Sequence, residues 1–213
     1  MKQTLYLGID LPPKWKNKST VHFPLVKIIP KDKENPFIVD SFKRFNTYSH
    51  VVFTSRNAVS VFFSLAAHFN ISIAEIASKL IIAIGQRTSE KLSEYGNEAN
   101  LVASEETAEG VLEVIKSLDL TGSHFFLPQS SLSRRIIPNW LESKQVAFTA
   151  CPIYDTVPGH SGPLPDLELF DEIVFTSPSI VNAFLHAYGY IPENKTLSCI
   201  GPITQQYLDS TIS

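Results

Sequence analysis

Hydroxyl side chains recur in this 213-residue sequence where a short apolar run is followed by an amphipathic stretch. Two of these places are nearly identical, VVFTSRNAVSVFF at 51–63 and IVFTSPSIVNAFL at 173–185. The pattern predicts a strand that ends at a helix, where Ser and Thr cap free backbone N–H groups. Those N–H groups and the helix dipole attract anions. We therefore predict an anion-binding turn at each place.

A second pair of turns repeats in the same order along the chain. LIIAIGQRTSEKL at 80–92 resembles LSCIGPITQQYL at 197–208. In a parallel sheet all four turns lie at the carboxyl ends of strands, where ligands bind. Ordinary capping without a ligand stays open as the alternative for any single turn. The candidate binding residues at the four turns are Thr54, Ser55, Arg56, Gly85, Gln86, Arg87, Thr88, Thr176, Ser177, Ser179, Gly201, Pro202 and Thr204.

A fifth candidate stretch is FFLPQSSLSRRIIPNWL at 125–141. It places Ser130 and Ser131 at the predicted end of another strand and Arg134 and Arg135 shortly after it. Guanidinium groups suit carboxylates and phosphates. Adjacent residues on a helix point about 100° apart, so we expect only one of the two arginines to face a ligand. Ser130, Ser131 and Arg134 join the candidate set.

The elements that position these turns follow from alternating patterns. Continuous apolar runs predict strands that are covered on both faces, and the stretches between them have helical apolar spacing. This alternation predicts an α/β fold with mainly parallel sheets. The repeated turns predict two small parallel-sheet lobes of related topology.

The second copy of the repeat supplies only two strands of its own, which cannot make a stable sheet. The unassigned strand at Leu5–Ile9 is the expected completion, so the outer lobe is predicted to be discontinuous. We predict an outer lobe of residues 1–26 plus 157–213, trimmed at both ends, and an inserted middle lobe of residues 33–149. The two lobes are expected to be joined by linker strands at about 27–32 and 150–156.

The composition excludes several classes of protein. The net charge is −3 and no basic stripe is present, which argues against nucleic-acid binding. Cys151 and Cys199 have neither disulfide nor metal-finger spacing, and no phosphate loop, dinucleotide fingerprint or metallohydrolase motif occurs. No apolar window is long enough for a membrane span. We expect a cytoplasmic monomer without metal or cofactor.

The sequence resembles the uroporphyrinogen-III synthase family. The resemblance covers most of the chain from about Val51 onward, and each of its short motifs alone is weak, but their common order is fairly specific. The motifs are VVFTSRNAV, IAIGQRTSEKL, ETAEGVLEVI, FFLPQSSLSRRIIPNWL, CPIYDTV, IVFTSPSIVNAFL and CIGPITQQYL.

The resemblance implies a cofactor-free hydro-lyase. It would close the linear tetrapyrrole hydroxymethylbilane into uroporphyrinogen III plus water, with inversion of the D ring, in a cleft between the lobes. The family's important tyrosine falls in the YxTV segment, which implies that Tyr154 is catalytic and either donates a proton to the leaving hydroxyl or positions the departing water. The alternative is a non-catalytic two-lobe module that binds an anionic tetrapyrrole or another small anion.

Overall fold

The computed structural model describes residues 3–16 and 19–212 and divides the chain into two compact units. Met1–Ile29 and Thr156–Ser213 together form the outer unit, and Pro30–Asp155 forms the middle unit. The predicted linker ranges 27–32 and 150–156 contain the two points at which the chain passes from one unit to the other.

Strands and helices alternate through most of the described chain. The strands are β1 (Thr4–Tyr6), β2 (Thr20–His22), β3 (Val26–Pro30), β4 (His50–Phe53), β5 (Leu80–Ala83), β6 (Leu101–Val102), β7 (His124–Ser130), β8 (Ala147–Pro158), β9 (Glu172–Phe175) and β10 (Thr196–Cys199). The helices are α1 (Pro36–Lys43), α2 (Arg56–His68), α3 (Ile73–Ala77), α4 (Gln86–Ser93), α5 (Ala108–Lys116), α6 (Ile136–Ser143), α7 (Pro178–Tyr188) and α8 (Pro202–Ile212).

The six-stranded sheet, most of which belongs to the middle unit, has the order β3-β8-β7-β4-β5-β6. From β8 to β6 every neighbouring pair is parallel, with Val51 of β4 opposite Ile81 of β5. Helices connect most of these strands, as parallel pairing requires. The prediction of a mainly parallel α/β fold is therefore confirmed.

Both faces of this sheet are buried, which explains why its strands are continuous apolar runs. On one face the buried ring of Phe62 packs with Phe42, Phe45, Phe53 and Phe126, at centroid distances of 5.1 to 6.2 Å. A separate cluster on the other face joins α5 and α6 to the strands. It consists of Val52, Ile82, Ala103, Val111, Ile115, Phe125, Leu127, Ile137 and Leu141.

The described sheet of the outer unit has the order β10-β9-β1-β2, again with parallel pairs. Leu5 of β1 lies opposite Ile173 of β9, so a strand from the start of the chain completes the C-terminal sheet. Leu5 and Ile173 belong to the hydrophobic core of this unit, which also contains Phe175, Phe184 and Leu208.

The connection from β1 to β2 contains a single 3-10 turn, Pro13–Trp15, among its described residues. Two adjacent prolines and the lack of apolar periodicity disfavour an α-helix there. Strand β2 was not predicted from the sequence, because its three residues are half-buried or exposed and show no apolar run. Across the described chain, no helix has both the length and the apolar character needed to cross a bilayer.

Candidate functional site

Ser55 lies at the turn where β4 passes into α2. Its backbone is extended, and its Oγ accepts a hydrogen bond of 3.0 Å from the N–H of Ala58, so it is the N-cap of the helix. The same Oγ lies 2.9 Å from the phenolic oxygen of Tyr154 in β8. The turn predicted from the Thr-Ser sequence therefore contacts the tyrosine singled out by the family resemblance.

Tyr154 is held at both its side chain and its backbone. Its side chain is 4% exposed, and its carbonyl oxygen accepts a 3.0 Å hydrogen bond from the N–H of Ser131. Burial raises the pKa of the phenol, and the hydrogen bond with Ser55 offsets this only in part. The phenol is therefore protonated at neutral pH, which is the state that a proton donor needs.

Ser131 also belongs to a small polar cluster with Asp155 and Lys31. The Ser131 hydroxyl donates to one carboxylate oxygen of Asp155, and the Lys31 ammonium lies 2.8 Å from the other. Hydrogen bonds from Lys31 and then Ser131 hold the pKa of the Asp155 carboxyl below its usual range. Asp155 and Lys31 were missed from the sequence, although Asp155 follows Tyr154 directly within the quoted CPIYDTV motif.

Ser130 is the last residue of β7 and is 9% exposed. Its Oγ accepts a hydrogen bond of 3.2 Å from the N–H of Leu132, and the pairing with β8 shifts register between Gln129 and Ser130. The shift leaves one extra residue, Ile153, in β8 between the partners of Gln129 and Ser130, as in a β-bulge.

Arg134 forms a two-pronged ion pair with Glu109, with N–O distances of 2.9 and 3.1 Å. The hydrogen bonds from Arg134 lower the pKa of the Glu109 carboxyl. Arg135 instead bonds Asn139, so the two adjacent arginines point differently. The sequence identified Arg134 but not its partner, which is 25 residues away. A substrate carboxylate would have to compete with Glu109 for this guanidinium.

The turn after β5 places Gly85 at the N-cap of α4. Glycine carries no capping group, so the N-cap residue of this helix makes no side-chain hydrogen bond to it. Gln86 and Arg87 follow at the start of the helix, and Thr88 is 4% exposed. The backbone of this turn suits an anion better than the buried Thr88 hydroxyl does.

In the outer unit, Thr176, Ser177 and Ser179 follow β9 at the start of α7. The Ser177 and Ser179 hydroxyl oxygens lie 2.9 Å apart, and Ser177, the N-cap residue, makes no side-chain hydrogen bond to the helix. Gly8, just after β1, lies close to Thr176, because a Cβ at Gly8 would be 2.8 Å from the Thr176 methyl carbon. The small residue at this position lets the end of β1 approach the turn.

The turn after β10 contains Gly201, Pro202 and Thr204 at the start of α8. Thr204 is 4% exposed, and the space around Gly201 is open. Because β9 and β10 are parallel neighbours, this turn and the Thr176 turn share one edge of the outer sheet.

None of the predicted residues lines the cavity of about 930 Å³ in the middle unit. That cavity lies at the amino ends of β7 and β8, where His124 and Ala147 contribute to its wall. The candidate turns lie at the opposite, carboxyl ends of the strands. Among the described residues, no group of acidic, His and Cys side chains is arranged to hold a metal ion.

Comparison with known proteins identifies similar chains. A protein of Methanothermobacter thermautotrophicus whose name contains uroporphyrinogen-III synthase is 28% identical over 181 residues, which cover 78% of this chain and 71% of that protein. The porphyrin biosynthesis protein HemD of Ruminiclostridium josui is 23% identical over 194 residues, 87% of this chain, but this match spans only 38% of the longer relative.

Solved structures share the fold. A mutant uroporphyrinogen III synthase from the extremely thermophilic bacterium Thermus thermophilus superposes with a TM-score of 0.67 at 13% identity, over 99% of this chain and 89% of the other. Uroporphyrinogen-III synthetase from Helicobacter pylori 26695 gives a TM-score of 0.65 at 18% identity, with the same coverage. The sequence model for uroporphyrinogen-III synthase HemD matches residues 18–211, so the chain belongs to that family, as its motifs predicted.

Proposed function

We propose that this chain is an enzyme that converts hydroxymethylbilane to uroporphyrinogen III and water. Its membership of the family and the names of its relatives support the activity. The contact between Tyr154 and Ser55 carries the assignment of the catalytic group, because it holds a protonated phenol at the edge where the predicted binding turns lie.

Tyr154 is the proposed proton donor for the departing hydroxyl. The phenol gives its proton to the leaving oxygen, water departs, and the terminal pyrrole ring becomes an electrophilic azafulvene. A substituted carbon of the D ring attacks it to give a spiro intermediate, which reopens and closes in the inverted sense. The proton lost on final aromatisation balances the proton donated at the start, so the overall change is loss of one water without oxidation or reduction.

The substrate's carboxylates are proposed to bind the strand-end turns of each unit. In the middle unit the donors are the hydroxyl of Thr54 and the backbone at Gln86 and Arg87, with Arg56 and Arg134 as cations. The other proposed contacts are Ser55, Gly85, Thr88, Ser130, Ser131, Thr176, Ser177, Ser179, Gly201, Pro202 and Thr204. Neutral donors of this kind explain how a chain of net charge −3 accepts a polyanion.

Binding must also control the conformation of the flexible linear substrate. The linear substrate can close without an enzyme to the unrearranged type I isomer, so the enzyme gains by holding the reacting rings in one geometry. Carboxylates fixed at several separate turns would provide that control. A change at a single turn should therefore alter the ratio of isomers as well as affinity.

The decisive experiment supplies purified protein with hydroxymethylbilane and separates type III from type I product. Formation of type III above the enzyme-free control supports the proposal. Formation of type I alone, at the rate without enzyme, would overturn it and leave the binding-module alternative.

We further propose that the protein acts as a monomer in the cytoplasm. Cys151 and Cys199 are both free thiols in the structure, which suits a reducing compartment. Light scattering after size-exclusion chromatography should give a mass near 23.7 kDa. A mass of twice that value would contradict the monomer.

A further inference from the structure

Tyr154 is anchored in β8 by residues that follow the two neighbouring strands. The order of the sheet places β3 on one side of β8 and β7 on the other. Lys31 follows β3, and its N–H donates a 2.9 Å hydrogen bond to the carbonyl oxygen of Ile153. Ser131 follows β7, and its N–H donates to the carbonyl oxygen of Tyr154. The backbone at the proposed acid is therefore held from both sides.

The side chain of Asp155 joins these two anchors. One of its carboxylate oxygens accepts a hydrogen bond from the Ser131 hydroxyl, and the other lies 2.8 Å from the Lys31 ammonium. Hydrogen bonds to a charged group are stronger than those between neutral groups, so the carboxylate restrains both partners. Lys31, Ser131 and Asp155, the Asp155 cluster, thus enclose the backbone on either side of Tyr154.

This anchoring matters because β8 is irregular at the same point. Ile153 has no partner in β7, since its neighbours in β8 pair with the adjacent residues Gln129 and Ser130. A bulge disrupts the regular ladder and changes the direction of the side chains beside it. Pairing with β7 alone therefore specifies the direction of Tyr154 less strictly, although its phenol must lie 2.9 Å from the hydroxyl of Ser55.

Neither stability nor substrate binding explains a carboxylate at this place. The side chains of Lys31 and Asp155 are 29% and 36% exposed, so water and salt screen their ion pair and it stabilises the fold little. Hydrogen bonds from Lys31 and then Ser131 lower the pKa of the Asp155 carboxyl, which is charged at neutral pH. A negative charge next to a site for a polyanion disfavours binding.

We propose that Lys31 and Asp155 are positioning residues that hold Tyr154 in its contact with Ser55. They act through the backbone of β8 and not through the substrate. The consequence for catalysis rests on the proposed function, since Tyr154 is the proposed acid. The position of the phenol can be measured without turnover.

The kinetic test compares Asp155→Asn with the unchanged protein. We expect kcat for the type III product to fall about tenfold without a rise in KM, because a small displacement of a reacting group is costly. Loss of a negative charge alone would lower KM for the polyanionic substrate and leave kcat unchanged, and that result would overturn the proposal. A rise in KM at unchanged kcat would also overturn it, since Asp155 would then act in binding.

Asp40→Asn is the matched control, because Asp40 also forms an exposed ion pair, with Arg44 next to α1. An equal fall in kcat in both Asp variants would reduce the effect to net charge and overturn the proposal. Lys31→Met should lower kcat as Asp155→Asn does, and Lys31→Arg, which keeps the cation, should restore most of it. Equal turnover in the two Lys31 variants would contradict a role for the ion pair.

A second test does not depend on activity. Labelling with 13C at the ring carbon that bears the hydroxyl gives one NMR signal for each of the seven tyrosines, and Tyr154→Phe identifies that of Tyr154. Ser55→Ala shows where this signal lies without the hydrogen bond. We expect the signal to move toward that position in Asp155→Asn and Lys31→Met but not in Asp40→Asn. This result would support the positioning role even if the chain made no type III product, and an unmoved signal in Asp155→Asn and Lys31→Met would overturn it.

Discussion

The phenolic oxygen of Tyr154 lies 2.9 Å from the hydroxyl oxygen of Ser55, although the residues are 99 positions apart in sequence. The contact joins the middle of β8 to the N-cap of α2. Ser55 also accepts a hydrogen bond from Ala58, so its orientation is fixed by the helix that it caps. The proposed acid is thus positioned by a helix N-cap.

Replacing Tyr154 with Phe should abolish most formation of the type III isomer. The change removes the proton donor, and general acid catalysis contributes about 10²- to 10⁴-fold. Loss of one buried hydrogen bond should lower the free energy of unfolding by only about 1 kcal/mol. Isomer analysis and urea unfolding measure the two effects. Unchanged type III turnover would show that this hydroxyl is not the acid.

Tyr48→Phe is the matched control for that change. Tyr48 is also a buried tyrosine of the middle unit, 1% exposed, and its hydroxyl makes no hydrogen bond of good geometry with the described residues. Removing an unsatisfied buried hydroxyl should leave turnover unchanged and not weaken the fold. If both variants lose activity equally, the loss reflects packing of the middle unit and not proton donation.

Ser55→Ala should lower both the free energy of unfolding and the rate of turnover. Loss of an N-cap costs about 1 kcal/mol, and Tyr154 also loses its partner. Ser72→Ala provides the control, because Ser72 caps α3 through Glu75 on the surface. A double-mutant cycle of Ser55→Ala with Tyr154→Phe should give a coupling of about 1 kcal/mol in urea unfolding. Strict additivity would mean that the contact between the two hydroxyls contributes nothing.

Stability should fall as the solution becomes acidic because of two histidines. Burial lowers the pKa of His50 below its ordinary 6.5, and burial together with the charge of Arg44 lowers that of His124. Below pH 6.5 the unfolded chain takes up protons that the folded protein refuses, so the free energy of unfolding decreases until the folded pKa values are reached. Urea unfolding at stepped pH values measures this slope.

His50→Gln should reduce that slope, since one of the two histidines is then absent. His186→Gln serves as the comparison because His186 is exposed on α7 in the outer unit. Equal slopes in the His50 variant and the unchanged protein would show that burial of His50 does not govern acid stability.

Phe62→Ala should destabilise the middle unit severely. Phe62 is fully buried and its ring contacts those of Phe42, Phe53 and Phe126. Truncating such a residue leaves a cavity and costs about 3–5 kcal/mol. Phe37→Ala makes the same chemical change at a side chain that is 49% exposed and should cost far less. Similar midpoints in urea for both variants would contradict the packing described for α1 and α2.

The sequence predicts the turns better than the contacts between them. Thr54, Gly85 and Thr176 follow strands as expected, because the change from a buried strand to a helix leaves a local pattern. Contacts between loops depend on which loops the sheet makes neighbours. Examples are the ion pair of Arg134 with Glu109 and the packing of the Glu106 side chain against Gly85. Such contacts leave no periodic signal in a single chain.

In the N-terminal region, too, one strand could be predicted from the sequence and another could not. The sequence indicates that Leu5–Ile9 completes a C-terminal sheet, and in the structure Thr4–Tyr6 pairs with Glu172–Val174. A shortage of strands in the second repeat made this inference possible. The edge strand Thr20–His22 could not be inferred, since an exposed three-residue strand carries almost no apolar pattern.

The twelve-residue strand β8 places the proposed acid and the passage to the outer unit on one continuous stretch of backbone. Side chains alternate between the two faces of a strand, so one residue inserted between Ala147 and Tyr154 would turn the phenol away from Ser55. Insertion of one residue into this strand should therefore abolish turnover, even where the added residue is compatible with β structure. Surface loops usually tolerate such a change in length.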